Sequence, residues 1–97
     1  MIEEIRNMEE KLNRCRAVVD ALTQALNLFA AVQPDLAALD RYLGSADWLE
    51  HLAADERGEL PPSLRRGVLS QDALYDLLQE ADALRRRINP EGFEENA

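Results

Sequence analysis

The stretch that decides the fold runs from Ile2 to Val32 and reads IEEIRNMEEKLNRCRAVVDALTQALNLFAAV. It holds no glycine or proline, and its apolar residues recur at alternating spacings of three and four. This pattern predicts one long helix with a heptad stripe, about 46 Å in length. The stripe, called the seam below, has an a row of Ile5, Leu12, Val19 and Leu26 and a d row of Met8, Cys15, Leu22 and Phe29. A third row, Val18, Ala25 and Val32, widens it towards the C-terminal end.

Three shorter helices are predicted in the rest of the chain. Pro34 disfavours a helical conformation at the residue before it and so ends the long helix. Gly44 is a typical residue after a helix end, and Ser45 and Ser70 are typical N-caps. The predicted bounds are 2–32 for the long helix, 35–43 and 46–57 for the two short helices, 58–69 for a loop, 71–88 for the last helix and 89–97 for a frayed tail. Within the loop we expect one helical turn near 63–66.

The element lengths predict a single all-α domain over residues 1–97. In this fold one long N-terminal helix packs antiparallel against three shorter helices, as a helical bundle. The last helix, about 27 Å long, would cover roughly half of the long one. One alternative stays open at this point, since the uncovered part of the seam would also suit a second copy in a homodimer.

The charge distribution limits the classes of partner. The chain carries a net charge of −8, and residues 33–60 hold seven acids against two arginines. Such an acidic molecule is a poor surface for nucleic acid. The sequence contains no run of about eighteen apolar residues, so we expect no membrane span. The single cysteine permits no internal disulfide, which fits a cytoplasmic location.

Several segments are also similar to a known family. The most specific are Gly44-Ser45-x-x-Trp48 and Arg66-Gly67-Val68-Leu69-Ser70-x-Asp72-x-Leu74-Tyr75, and Pro34-Asp35-Leu36 agrees as well. They resemble small bacterial helical proteins grouped as a domain of unknown function, DUF4298. The sequence departs from the family at Tyr42-Leu43, where the family has paired tyrosines. The resemblance implies a small, helical, bacterial, cytoplasmic protein, and it implies no activity, cofactor or catalytic residue.

Two groups of residues could carry chemistry. Asp47, His51 and Asp55 follow one another at four-residue spacing and would share one helical face, so they are weak candidates for a divalent metal. An ordinary solvated polar face is the favoured interpretation. Cys15, in the d row, is expected to be a buried small hydrophobic residue rather than a nucleophile. We therefore expect no enzyme, no metal and no cofactor.

The residues around Gly44 could contact a partner protein. Tyr42 and Trp48 flank this glycine and form either a packed helix corner or a surface aromatic anchor. The candidate partner-binding residues are Tyr42, Trp48, Asp47, Glu50, Arg65 and Arg66. The sequence thus predicts a non-catalytic protein–protein interaction module with a partner of unknown identity. The alternative is an acidic inhibitor, antitoxin or immunity-type protein that binds a basic partner through residues 33–60.

Overall fold

The computed structural model describes residues 1–89 and shows four α-helices, one 3₁₀ turn and, within that range, no strand. The elements are α1 (Ile2–Ala31), α2 (Gln33–Tyr42), α3 (Ala46–Glu56), the 3₁₀ turn (Gly67–Leu69) and α4 (Gln71–Ile88). The prediction of an all-α chain with one long N-terminal helix and shorter helices after it is confirmed. Most of the predicted frayed tail, residues 90–97, lies outside the described residues.

Two element positions differ from the prediction by more than one residue. Helix α2 begins at Gln33 instead of residue 35 and holds Pro34 in its first turn. Proline is tolerated there because the N–H groups of the first turn make no hydrogen bond within the helix, so the missing N–H of proline costs none. The helical turn of the loop lies at Gly67–Leu69 and not near 63–66. At the earlier position the chain makes a single turn, in which the Leu64 N–H donates to the Pro61 carbonyl at 3.0 Å.

The chain divides into two compact units, Met1–Gln33 and a second unit that begins at Pro34. The first unit is essentially α1, with Glu3 and Glu4 in its first turn, where negative charge favours the helix dipole. Local ion pairs such as Arg16–Asp20, at 3.1 Å, add to the stability of α1. Taken by itself, α1 buries none of its residues. The antiparallel packing of the long helix against the shorter ones stays a prediction.

The second unit has a small core. Its buried residues are Leu36, Trp48, Leu74 and Ala81. The Trp48 indole N–H donates to the Val68 carbonyl at 2.9 Å and so ties α3 to the 3₁₀ turn, which also contacts α4. This bond satisfies the one polar atom of a buried indole.

Local capping sets the ends of the helices in the second unit. The Ser45 hydroxyl accepts a hydrogen bond from the Trp48 N–H at 3.1 Å, and the Ser70 hydroxyl accepts one from the Ala73 N–H at 3.2 Å. Gly44 has a φ of 79°, a left-handed conformation that ends α2 and that glycine adopts without steric cost. The predicted caps at Ser45 and Ser70 are confirmed.

Candidate functional site

The seam on α1 is the largest exposed apolar feature of the first unit. The large aliphatic and Met side chains of its a and d rows keep between 36% (Leu26) and 59% (Leu12) of their surface exposed, whereas Phe29 is half-buried. Residues of these types are usually inside a folded protein. A continuous exposed row of them typically marks a surface that binds another protein.

Cys15, in the middle of the seam, is exposed. The expectation that this thiol is buried is therefore wrong for α1 taken by itself. A single helix covers only the part of each side chain that lies against its own backbone. Burial of the seam therefore requires a second element packed against it.

The corner between α2 and α3 is packed rather than open. Trp48 keeps only 6% of its surface exposed and belongs to the core of the second unit. The Tyr42 hydroxyl is hydrogen-bonded to Nδ1 of His51 at 2.8 Å, and the two rings lie 5.8 Å apart. Trp48 is thus not displayed as a surface anchor, and the packed-corner interpretation matches the structure.

The three weak metal candidates are not assembled into a site. Nδ1 of His51 is engaged by Tyr42, and Oδ1 of Asp55 accepts a hydrogen bond from Arg66 at 2.7 Å. Asp47 is exposed in the first turn of α3. Among residues 1–89, no three His, Cys, Asp or Glu side chains come together in a way that could hold a metal ion.

The remaining partner-binding candidates differ in exposure. Glu50 and Arg65 are exposed, whereas Arg66 is half-buried, because it pairs with Asp55 and also bonds to the Pro62 carbonyl at 3.3 Å. Arg66 therefore links the loop to α3. Of the two neighbouring arginines, Arg65 is the one displayed on the surface.

Acidic side chains cover much of the surface of α2 and α3. The exposed ones within residues 33–60 that have no ion pair at 4 Å or closer form the acidic patch: Asp35, Asp40, Asp47, Glu50 and Glu56. A further acid, Glu59, accepts two hydrogen bonds from Arg57, at 2.7 and 2.9 Å. This contact lowers the pKa of Glu59 and raises the pKa of Arg57.

Sequence reasoning missed the contacts that join distant parts of the second unit. The bond from Trp48 to Val68 and the ion pair between Asp55 and Arg66 span twenty and eleven residues. The first uses a backbone carbonyl, which every residue carries, so no side-chain pattern signals it. The second could have been suspected only from opposite charges on either side of a proline-containing loop.

These observations define a small all-α protein with an exposed heptad seam and an acidic patch. The chain belongs to the DUF4298 family, a domain of unknown function, whose model matches residues 5–88. The match begins at the first a-row residue and ends at the last residue of α4, and it confirms the resemblance. No curated protein and no solved structure matches the chain significantly.

A membrane span requires a helix of about 20 predominantly apolar residues. Within residues 1–89, no single helix is long and apolar enough to cross a bilayer. Helices α1 and α2 meet the length and composition requirements only when taken together, as a pair interrupted at Val32.

Proposed function

We propose that this protein is a non-catalytic interaction module that binds its protein partner through the seam of α1. The observation that supports this most is the exposure of the seam along four heptads of a single helix. Such a stripe suits recognition of another helix, because apolar residues at this spacing pack as knobs into the holes of a facing helix.

The energy available from the seam is sufficient for specific binding. Full burial of a Leu, Ile or Val side chain stabilises by about 1.5–3 kcal/mol, and these side chains already have part of their surface covered by α1. Each would contribute on the order of 1 kcal/mol on docking. The six large aliphatic and Met side chains, from Ile5 to Leu26, would together contribute about 6 kcal/mol. The apolar side chains of the facing helix would add a similar amount, and the sum of about 12 kcal/mol exceeds an entropic cost of association of about 4 kcal/mol by roughly the 8 kcal/mol of micromolar binding.

In this proposal the side chains that could act in catalysis or metal binding have structural roles. His51 serves the Tyr42 contact, Asp55 serves the Arg66 ion pair, and Cys15 lies in the binding surface. A single cysteine suits a reducing compartment, so we place the protein in the bacterial cytoplasm. The partner is a protein rather than a nucleic acid or a membrane surface, since the net charge of −8 repels anionic surfaces.

The test compares two substitutions that make the same chemical change. Leu22 lies in the d row and is 57% exposed, whereas Leu28 lies outside both rows and is 63% exposed. Leu22→Asp should abolish capture of the partner from lysate at high salt, because it would bury a charge. Leu28→Asp should leave capture unchanged. Equal capture by the wild type and Leu22→Asp would overturn the proposal.

A second candidate function rests on the acidic patch. Its exposed carboxylates on α2 and α3 could hold a basic partner, as an acidic inhibitor, antitoxin or immunity-type protein would. Binding of this kind falls steeply with ionic strength. The double variant Asp47→Asn, Glu50→Gln should then weaken capture at low salt while Leu22→Asp has no effect. Salt-insensitive capture would argue against this second function.

A further inference from the structure

We propose that the partner of the seam is the α1 helix of a second copy of this chain, paired antiparallel so that Leu12 faces Leu22 of the second copy. This inference rests on the proposed function and adds the identity and direction of the partner.

The register follows from the symmetry of the seam. In an antiparallel pair each a-row residue packs beside a d-row residue of the other helix. Pairing Leu12 with Leu22 also sets Ile5 beside Phe29, Met8 beside Leu26 and Val19 beside Cys15. All eight seam residues are then matched, whereas a shift by one heptad in either direction leaves residues at the helix ends unmatched.

A parallel pair would bring like charges together. The positions next to the seam in the first two heptads are Glu4 and Lys11 on one side and Glu9 and Arg16 on the other. In a parallel dimer one side of each copy faces the other side of its partner copy. Glu4 of one copy then meets Glu9 of the other, and Lys11 meets Arg16. Each repulsive contact occurs twice by symmetry. Flanking charges of this kind set the orientation of helix pairs.

The antiparallel pair avoids these contacts because the two ends of α1 differ. Its C-terminal flanks carry small or apolar residues, namely Val18, Thr23, Ala25, Ala30 and Val32. Reversal sets Glu4 beside Val32, Lys11 beside Ala25 and Glu9 beside Thr23. The charged heads can reach water while their stems cover the apolar flank of the other copy.

One like-charge contact remains at the centre of the antiparallel pair, where Arg16 faces Arg16 of the second copy. This arginine is already held by Asp20 of its own helix, with Nη2 at 3.1 Å and Nε at 3.2 Å from the carboxylate. The ion pair offsets the positive charge at the symmetry axis. The flanks of α1 thus accommodate a second copy of α1 in the reversed direction and disfavour the parallel one. Together with the match of all eight seam residues, this supports a second copy as the partner.

Single-cysteine variants of the full chain test both the partner and its direction. In a Cys15→Ala background, Met8→Cys is made in one protein and Leu26→Cys in a second, tagged protein. These positions are 18 residues apart, about 27 Å along a helix, so a parallel dimer cannot join them by a disulfide. In the antiparallel register they are neighbours.

The expected result is a disulfide-linked heterodimer when the two variants are mixed and mildly oxidised, and little linkage within either variant alone. Each variant is first checked under reducing conditions for a dimer, twice the 11.0 kDa chain mass, by light scattering. Linkage of Met8→Cys to itself would establish a parallel pair and overturn the proposal. If the variants do not dimerise, the wild-type protein supplies the test. Its mass shows whether it dimerises, and ready formation of a disulfide between the two Cys15 side chains would show a parallel pair and overturn the proposal.

The same measurements separate this inference from the proposed function. Leu22→Asp should weaken self-association about 100-fold or more, and Leu28→Asp should not. A monomeric wild type at micromolar concentration that still captures another protein through Leu22 would overturn the homodimer and keep the interaction module. A monomer whose Cys15 resists a thiol reagent would show that the shorter helices of the same chain cover the seam, which would contradict both.

Discussion

The two units of this chain use their apolar residues in opposite ways. In Met1–Gln33 the side chains are regularly spaced and none is buried, whereas the second unit, with less regular spacing, buries Leu36, Trp48, Leu74 and Ala81. The difference lies in contacts between elements. Hydrogen bonds along α1, such as Arg6 to Glu3 and Lys11 to Asn7, are local. The second unit has bonds that cross loops. Periodicity therefore identifies an apolar face, while burial depends on what is brought to it.

The largest expected effect concerns the core of the second unit. Trp48→Ala should lower the free energy of unfolding by about 3–5 kcal/mol, because it opens a cavity and leaves the Val68 carbonyl without its indole donor. Urea unfolding followed by circular dichroism measures the change. The neighbouring Leu49, 55% exposed, supplies the control, and Leu49→Ala should cost less than about 0.5 kcal/mol. Equal losses at both positions would contradict the placement of Trp48 in the core of the second unit.

In the first unit the expected effect depends on chain concentration. Leu22→Ala should change stability by less than about 0.5 kcal/mol in dilute protein, where this side chain faces water. At concentrations that populate the dimer it should cost about 2 kcal/mol or more. Thermal unfolding at two well-separated concentrations measures both values, with Leu28→Ala as the matched control. A large loss that is the same at both concentrations would mean that the seam is covered within one chain.

A smaller effect is expected at the ion pair that links the loop to α3. Asp55→Asn should cost about 1 kcal/mol, since the Asp55 and Arg66 side chains are about 70% covered and joined at 2.7 Å. Glu59→Gln, at the more exposed pair with Arg57, should leave stability almost unchanged, because solvent screens this ion pair. Urea midpoints of the two variants give the comparison. A larger loss of stability in Glu59→Gln than in Asp55→Asn would show that the exposed Arg57–Glu59 pair is the more stabilising contact.

The smallest effect is a pH dependence on α4. The hydrogen bond from Arg86, followed by the charge of that guanidinium, lowers the pKa of Asp82 below its ordinary value of 3.8. Because the folded-state pKa is the lower one, this contribution is present above pH 3.8 and is lost as the pH falls through the folded-state pKa. An NMR titration of the Asp82 carboxyl should show a midpoint that rises in Arg86→Gln. An unchanged midpoint would remove Arg86 as the cause.

Local chemistry explains how much of this fold the sequence could predict. The heptad rows fixed the extent of α1 to within one residue, and Ser45, Ser70 and Gly44 marked helix ends because their roles depend only on neighbouring backbone. The position of the 3₁₀ turn depends on the bond between Trp48 and Val68, which joins distant residues.

The candidate site was predictable to a different degree. The seam could be read from spacing alone, because a helix places every third and fourth residue on one side. Two assignments depended on tertiary structure and were not predictable in this way. Trp48 entered the core instead of the surface, and Arg66 turned to Asp55 while Arg65 remained exposed. Aromatic and charged residues next to a glycine occur in both settings, so their type does not decide between them.

The positions of the single tryptophan and the single cysteine have a practical consequence. The chain has one tryptophan and one cysteine, and they lie in different units: Trp48 is buried in the second, and Cys15 is exposed on α1. Indole fluorescence therefore reports the integrity of the second unit, while the rate of thiol alkylation reports cover of the seam. The unmodified protein thus carries one intrinsic probe for folding and another for assembly, and the two processes can be followed in the same sample without an engineered label.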